Sequence, residues 1–133
     1  MGRRLILDTG VLIAYERGTL ARRAFDEDDL AIAAITVAEY RTGIELADSA
    51  ERAAQRSRAL DAIVDAVEVL DYTTATAAHH ARLIAHARRA GRARGAHDLV
   101  IAAHAAQTGR VLVSTDAAAR FGDLPGVTAL APG

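Results

Sequence analysis

The chain has 133 residues, of which 51% are hydrophobic, and a formal net charge of −1, so it has the size of one domain with one buried core. It lacks cysteine, which excludes disulfides and thiolate metal sites, and it lacks lysine, which excludes chemistry based on a lysine amine. We expect a single domain over 1–133 without general attraction to nucleic acid, so a local feature would have to hold any phosphate-rich partner.

The predicted elements alternate between short aliphatic strands and longer alanine-rich helices. In chain order, strand 4–7 is followed by helices 11–17 and 20–26, strand 30–35 by helices 37–47 and 50–65, and strand 67–70 by helices 75–90 and 99–108, before strands 111–114 and 127–130. Strands that alternate with helices favour parallel pairing with helices on both faces. The pattern predicts a three-layer α/β/α fold with a central, mainly parallel sheet of four to five strands.

Two boundaries between these elements carry recognisable signals. Thr36 followed three residues later by Glu39 fits a capping box, in which the two side chains satisfy free amides at a helix start. Gly91 and Gly95 should end one helix before the next begins. The acidic stretch 26–29 is interpreted as a solvated turn before the second strand.

The amino-terminal segment indicates no membrane insertion. Arg3 and Arg4 precede an apolar run, but Asp8 interrupts that run before a signal-peptide core could form. No apolar stretch approaches the length of a membrane span. We therefore expect a soluble, cytoplasmic protein without membrane contact.

Four carboxylates are predicted to converge at one edge of the sheet, because ligands of open parallel sheets bind beyond the carboxyl ends of the strands. Asp8 follows the first strand, Glu39 lies one turn into the helix after the second, Asp98 opens the helix before the fourth strand, and Asp116 closes that strand. Each alone is better explained as a helix-capping residue. Together they would repel one another and oppose folding unless a cation neutralised them.

A hydrolytic metal site would resolve this conflict of charge. The available ligands are hard oxygens, which favour Mg²⁺ or Mn²⁺ over zinc. Such ions bind phosphate oxygens, lower the pKa of an attacking water and stabilise a leaving oxygen. The acids therefore indicate hydrolysis of a phosphodiester without a covalent intermediate.

The stretches that carry these acids resemble the four successive motifs of the PIN-domain family, specifically the VapC-type toxins of toxin-antitoxin pairs. They read LDTGVLIA, ITVAEYRTG, HDLVIAAHA and LVSTDAAARFGDLPGV, and the resemblance extends from about residue 4 to 130. The third stretch is the most specific of the four. The resemblance implies a PIN-like fold and a Mg²⁺- or Mn²⁺-dependent endoribonuclease.

The resemblance also implies roles for the acids. Asp8 and Asp98 would be the principal metal ligands, and Glu39 would complete the pocket and help to position or deprotonate water. Asp116 would serve a second ion or its water shell; many relatives have asparagine at this position.

Thr9 and Ser114 are plausible hydrogen-bond donors to the acids that bind metal, although both could be ordinary turn residues. His97 could approach a substrate phosphate, but a surface or capping role is the simpler interpretation. The basic cluster Arg88, Arg89, Arg92 and Arg94 could steer RNA towards the site, or could be a solvated helix end that suits the helix dipole.

The partners implied by the resemblance are an RNA substrate, a second copy of the chain in a homodimer, and a cognate VapB-like antitoxin. The antitoxin's carboxyl-terminal segment would lie over the active-site groove, with the helical pair 37–65 as one wall. Two alternatives stay open: a catalytically silent PIN-like module that binds RNA or antitoxin, and a DNA-directed nuclease with the same metal site.

Overall fold

Strands and helices alternate in the computed structural model, which describes residues 2–21 and 23–132. The strands are β1 (Arg4–Leu7), β2 (Asp29–Ala33), β3 (Glu68–Leu70), β4 (Val111–Val113) and β5 (Ala129–Leu130). The helices are α1 (Thr9–Glu16), α2 (Ala34–Glu45), α3 (Ala50–Ala66), α4 (Thr74–Arg89) and α5 (Ala96–Thr108), and short 3₁₀ helices lie at Ala117–Ala119 and Phe121–Asp123.

The strands form one sheet in the order β3-β2-β1-β4-β5, and every neighbouring pair is parallel. Strand β1 is central, with Leu5 in register with Leu30 on one side and Val111 on the other. Because all strands point the same way, their carboxyl ends share one edge. The predicted parallel α/β/α fold is confirmed.

The core is divided between the two faces of this sheet. On β1, Ile6 packs in a cluster with Leu83 of α4 and Ile101 of α5, whereas Leu5 and Leu7 pack in a second cluster. That second cluster contains residues of the other three helices, among them Val11, Tyr40 and Leu60. Successive strand residues point to opposite faces, so the run of aliphatic residues in β1 feeds both layers.

The predicted helix 20–26 is wrong over the residues that the structure describes, and Arg22 lies outside them. Residues 23–27 form successive turns, in which Asp26 N–H bonds Arg23 O and Asp28 N–H bonds Phe25 O. The acidic stretch 26–29 would stand at the negative end of a helix dipole, which disfavours a helix there. Buried Phe25 holds the turns to the core.

The predicted capping box of Thr36 and Glu39 is also wrong. Strand β2 ends at Ala33, earlier than residue 35, and α2 begins at Ala34 without a side-chain cap. Thr36 therefore lies inside the first turn, fully buried, and its hydroxyl has no hydrogen-bond partner among the described residues. Glu39 is left free to bond elsewhere.

The two glycines between α4 and α5 act as predicted. Gly91 adopts a left-handed φ of 67° just after α4, and Gly95 is the N-cap residue of α5. A left-handed residue turns the chain away from the helix axis at little cost only when it lacks a Cβ. None of the described helices is long and apolar enough to cross a membrane.

Candidate active site

Asp8 stands where β1 gives way to α1, at the carboxyl edge of the sheet. Its Oδ1 accepts the Thr9 N–H at 2.7 Å, and its Oδ2 accepts the Ser114 hydroxyl at 2.9 Å. Burial raises the pKa of Asp8, the bonds from Ser114 and Thr9 lower it, and the charges of Glu39 and Asp116 raise it again, with a net upward shift. Asp8 thus both caps α1 and interacts electrostatically with two other acids.

Glu39 is held by residues of two other helices. The Thr9 hydroxyl of α1 donates to Glu39 Oε1 at 3.1 Å, and His97 Nδ1 of α5 lies 3.2 Å from Glu39 Oε2. The Glu39 side chain is partly buried and that of His97 is more than half exposed. The interpretation of His97 as a simple surface or capping residue missed this contact.

Asp98 lies in the first turn of α5, where an acid is favoured by the helix dipole. A Cβ built on Gly95 would come within 2.9 Å of Asp98 Oδ2. Gly95 has φ −59°, which any residue adopts, so its backbone does not demand glycine. The missing side chain leaves room for the Asp98 carboxylate.

The electrostatic environment of Asp98 joins all four predicted acids. Burial raises the pKa of Asp98 most, and the charges of Asp8, Asp116 and Glu39 raise it further, while His97 opposes them. Charges separated by much more than the screening length of about 8–10 Å have little effect on one another. The four acids therefore lie at one edge of the molecule, as predicted from their positions in the sequence.

Asp116 begins the 3₁₀ helix after β4 and is exposed. Its Oδ1 accepts the Ala118 N–H at 3.0 Å, and its own N–H donates to the Ser114 hydroxyl at 3.0 Å. Since Ser114 also donates to Asp8, that hydroxyl connects the two acids. Thr9 and Ser114 therefore make the hydrogen bonds expected of residues that orient the acids.

The donor set suits a hard cation, but the acids do not form a ready cage. Within residues 2–21 and 23–132, no three histidine, cysteine or acidic side chains stand close enough to hold a metal ion. Carboxylates that raise one another's pKa are stabilised by a divalent cation. The chemistry of the site fits Mg²⁺ or Mn²⁺, and the metal-ligand roles of Asp8, Glu39, Asp98 and Asp116 stay predictions.

The basic cluster does not act as one unit. Arg88 and Arg89 are exposed at the end of α4, and Arg92 lies 4.0 Å from Asp123. Arg94 is partly buried and bonds the backbone of the segment after Asp116. This contact spans 25 residues and has no local sequence signal, so sequence reasoning could not find it.

A cavity of about 1140 Å³ opens between α1 and α3, and none of the four acids lines it. Its lining is mainly apolar and includes Leu12, Phe25 and Ile63, with the cations of Arg52 and Arg56 at its wall. Arg56 lies 3.5 Å from Glu16. The helical pair 37–65 contributes to this wall through α3.

Comparison with known proteins gives a consistent result over most of the chain. The family model described as PIN domain matches residues 5–124. Ribonuclease VapC5 of Mycobacterium tuberculosis is 35% identical over 111 residues, 84% of this chain and 82% of the relative. The tRNA(fMet)-specific endonuclease VapC of Shigella flexneri is 28% identical over 117 residues, 85% of this chain and 86% of the relative.

Among solved structures, VapBC-5 of Mycobacterium tuberculosis, described as a member of the VapBC family of toxin-antitoxin systems, superimposes with a TM-score of 0.75. It is 30% identical in sequence, and the match covers 96% of each chain. The structural similarity extends over nearly the full length of both molecules, and the residues matched by the PIN-domain model, 5–124, include all four acids.

Proposed function

The chain belongs to the PIN-domain family, and from that premise we propose that it is a metal-dependent endoribonuclease, the toxin of a type II toxin-antitoxin pair. The family and its ribonuclease relatives support nuclease activity. The proposal depends on one structural observation. Acids of separate segments are connected at one edge, because the Ser114 hydroxyl bonds both Asp8 and the backbone of Asp116, and the charges of Asp8, Asp116 and Glu39 raise the pKa of Asp98.

The proposed chemistry is hydrolysis of an RNA phosphodiester by an activated water. Asp8 and Asp98 would hold Mg²⁺ or Mn²⁺, Glu39 would complete the pocket, and Asp116 would serve a second ion or its water shell. When bound, the cation supplies Lewis acidity and a water of lowered pKa. The site contains no lysine and needs no covalent intermediate.

This chain's own residues would orient the acids. The Thr9 hydroxyl donates a hydrogen bond to one oxygen of Glu39, and the other oxygen of Glu39 lies next to His97. Ser114 holds one oxygen of Asp8, while the Thr9 amide holds the other. Fixed carboxylates lose less freedom on binding a cation, so these bonds favour both affinity and a defined geometry.

The proposed partners are a VapB-like antitoxin, a second copy of the chain and an RNA. The solved relative from Mycobacterium tuberculosis is a toxin-antitoxin complex, which supports an antitoxin for this chain. The open apolar cavity between α1 and α3 offers a surface to which an antitoxin segment could bind. The cations at its wall would suit acidic groups on that segment.

A cleavage assay tests the activity. The native chain, Asp98→Asn and Asp61→Asn would be incubated with a tRNA pool, single-stranded DNA and duplex DNA, with Mg²⁺, with Mn²⁺ and with a chelator. Asp61 is an exposed acid of α3, so Asp61→Asn is the matched control. We expect RNA cleavage that needs a divalent ion, is retained in Asp61→Asn and falls at least about a hundredfold in Asp98→Asn.

Each other outcome selects a different function. Equal cleavage by the native chain and Asp98→Asn would contradict the proposed mechanism. RNA binding without cleavage would favour the silent binding module, and preferential cleavage of DNA would favour the DNA-directed nuclease. The antitoxin proposal is tested separately by co-expression with the candidate antitoxin and co-purification.

A further inference from the structure

Arg94 lies in the short connection between α4 and α5 and reaches a distant part of the chain. Its Nη1 donates to the carbonyl of Ala119 and, at 3.1 Å, to the carbonyl of Arg120. The Arg94 side chain is only partly exposed, unlike those of Arg88 and Arg89. One cation therefore connects the start of α5 to the segment after β4.

The segment that Arg94 holds is the turn that carries Asp116. Asp116 caps this turn through the Ala118 N–H, and Ala119 and Arg120 complete it. Arg120 adopts a left-handed φ of 50°, which is unfavourable for a residue with a side chain. Such a backbone persists only when contacts hold it, and Arg94 bonds the carbonyl of that same residue.

The start of α5, on the other side of Arg94, carries Asp98. Gly95 follows Arg94 directly and provides the space for the Asp98 carboxylate. Each of these acids belongs to one of the two segments that Arg94 joins, and the charge of Asp116 raises the pKa of Asp98. The relative position of these two acids thus depends on a contact that neither of them makes.

We propose that Arg94 is a positioning residue for the metal site: it holds the turn of Asp116 against the start of α5 and so fixes the position of Asp116 relative to Asp98. This inference rests on the proposed function. It gives Arg94 a role distinct from that of a cation that attracts RNA. A phosphate contact would have to use the remaining Nε and Nη2 donors, because Nη1 of Arg94 donates to two backbone carbonyl groups.

The test compares Arg94→Ala, Arg94→Lys and the control Arg92→Ala. Arg92 belongs to the same connection, is more exposed and lies 4.0 Å from Asp123 in an ion pair. Mn²⁺ affinity is measured by calorimetry without RNA, and RNA cleavage gives kcat and KM at several salt concentrations. Amide exchange of Ala118 and Arg120 reports on the turn itself.

We expect Arg94→Ala to bind Mn²⁺ about tenfold more weakly, to lose kcat by a similar factor with little change in KM, and to exchange both amides faster. Arg94→Lys should be intermediate, because one ammonium group cannot reproduce the planar donor geometry. Arg92→Ala should resemble the native chain. If Arg94→Ala does not fold, Arg94→Lys and its Mn²⁺ affinity decide.

Native Mn²⁺ affinity in a folded Arg94→Ala would overturn this inference. If that variant instead showed a raised KM and a weaker dependence on salt, Arg94 would be a contact for RNA phosphate. A native chain that binds no Mn²⁺ would contradict the proposed function. A native chain that binds Mn²⁺ no better than Arg94→Ala would contradict the positioning role alone.

Discussion

Asp98 is the residue at which folding and the proposed chemistry conflict most directly. Its charge is partly buried and faces three other acids, yet its position in the first turn of α5 favours a negative charge. The sequence predicted a helix over 99–108 that Asp98 opens, whereas α5 begins three residues earlier, at Ala96, and Asp98 lies inside its first turn. The sequence could not predict the space provided by Gly95 or the contact of Arg94, because both depend on side chains that only the folded chain brings together.

Replacing Asp98 should therefore stabilise the chain when no divalent ion is present. The pKa of Asp98 is raised on folding, so its charge destabilises the folded state increasingly as pH rises through that raised pKa. Asp98→Asn should raise the free energy of unfolding at pH 7.5 by on the order of 0.5–1 kcal/mol, the scale of a partly exposed charge interaction. Urea denaturation in chelator measures it.

The same experiment at pH 3 supplies the control, since both side chains are then neutral and the two curves should coincide. In Mg²⁺ the order should reverse or the difference should shrink, because the native site gains a ligand. A less stable Asp98→Asn at pH 7.5 without metal would contradict the idea that the four acids oppose folding.

Gly95 and Gly91 lie in the same connection but are needed for different reasons: Gly95 leaves space for a side chain, and Gly91 allows a left-handed backbone. Gly95→Ala should displace the Asp98 carboxylate and lower RNA cleavage about tenfold, at a small cost in stability from a poorer cap. Gly91→Ala places a Cβ in open space but at φ 67°, so it should lose about 1 kcal/mol of stability and keep its activity. Cleavage rates and urea denaturation separate the two effects. Equal activity in both variants would contradict the role of Gly95.

At the scale of elements, the parts with strong periodic patterns were predictable. Helix α3 was predicted over 50–65 and spans Ala50–Ala66, and all five strands were predicted near their observed positions. The start of α2 was not, because Ile35 and Thr36 are β-branched and favour a strand locally, whereas α2 already begins at Ala34. The predicted helix 20–26 failed because packing of Phe25 and local acid charges outweighed alanine propensity.

Helix α5 is the most buried helix of the set and carries a buried histidine that the proposed chemistry does not use. His104 is 2% exposed, and its ring lies 6.3 Å from that of Tyr72. Burial lowers the pKa of His104, Asp71 opposes this shift and His80 adds to it. His104 is therefore neutral in the folded chain at neutral pH.

The buried His104 should make stability sensitive to mild acid. The pKa of His104 is lower in the folded state than its ordinary value of 6.5. Neutral His104 therefore makes its full contribution to the free energy of unfolding above pH 6.5, and this contribution is lost as pH falls towards the folded pKa. His104→Leu should reduce the loss of stability between pH 7.5 and pH 5.5. Urea denaturation at both values measures it, and His79→Leu is the control on α4. An unchanged pH dependence in His104→Leu would contradict the prediction.

At the scale of the whole molecule, one end of the sheet carries the proposed active site and the other end carries contacts that stabilise the fold. The carboxyl ends carry the acids, whereas the amino ends are joined by Arg110, which is 4% exposed. Arg110 donates to the carbonyl of Leu5 at 3.1 Å, to Asp29 Oδ1 at 3.1 Å and to Glu68 Oε2 at 3.2 Å. One cation just before β4 thus connects the start of that strand with β1, β2 and β3, at the end of the sheet opposite the acids.

Arg110→Leu should consequently lower stability without changing the chemistry of the folded protein. The variant leaves the buried Leu5 carbonyl without this partner, while the more exposed Asp29 and Glu68 regain water. We expect a loss of about 2–3 kcal/mol, less than for a fully buried ion pair. Arg23→Leu, which removes an ion pair exposed on both sides, should leave the free energy of unfolding nearly unchanged.

Urea denaturation gives the stability, and cleavage of RNA at a temperature where Arg110→Leu remains folded gives the activity. Because the end of the sheet that Arg110 joins lies opposite the acids, kcat should stay within about twofold of the native value under those conditions. A stable Arg110→Leu with a large loss of kcat would mean that the two ends of the sheet are coupled. In that case the position of Asp8 at the end of β1 would depend on the far end of the same strand, and the separation of tasks argued for the two edges would be wrong.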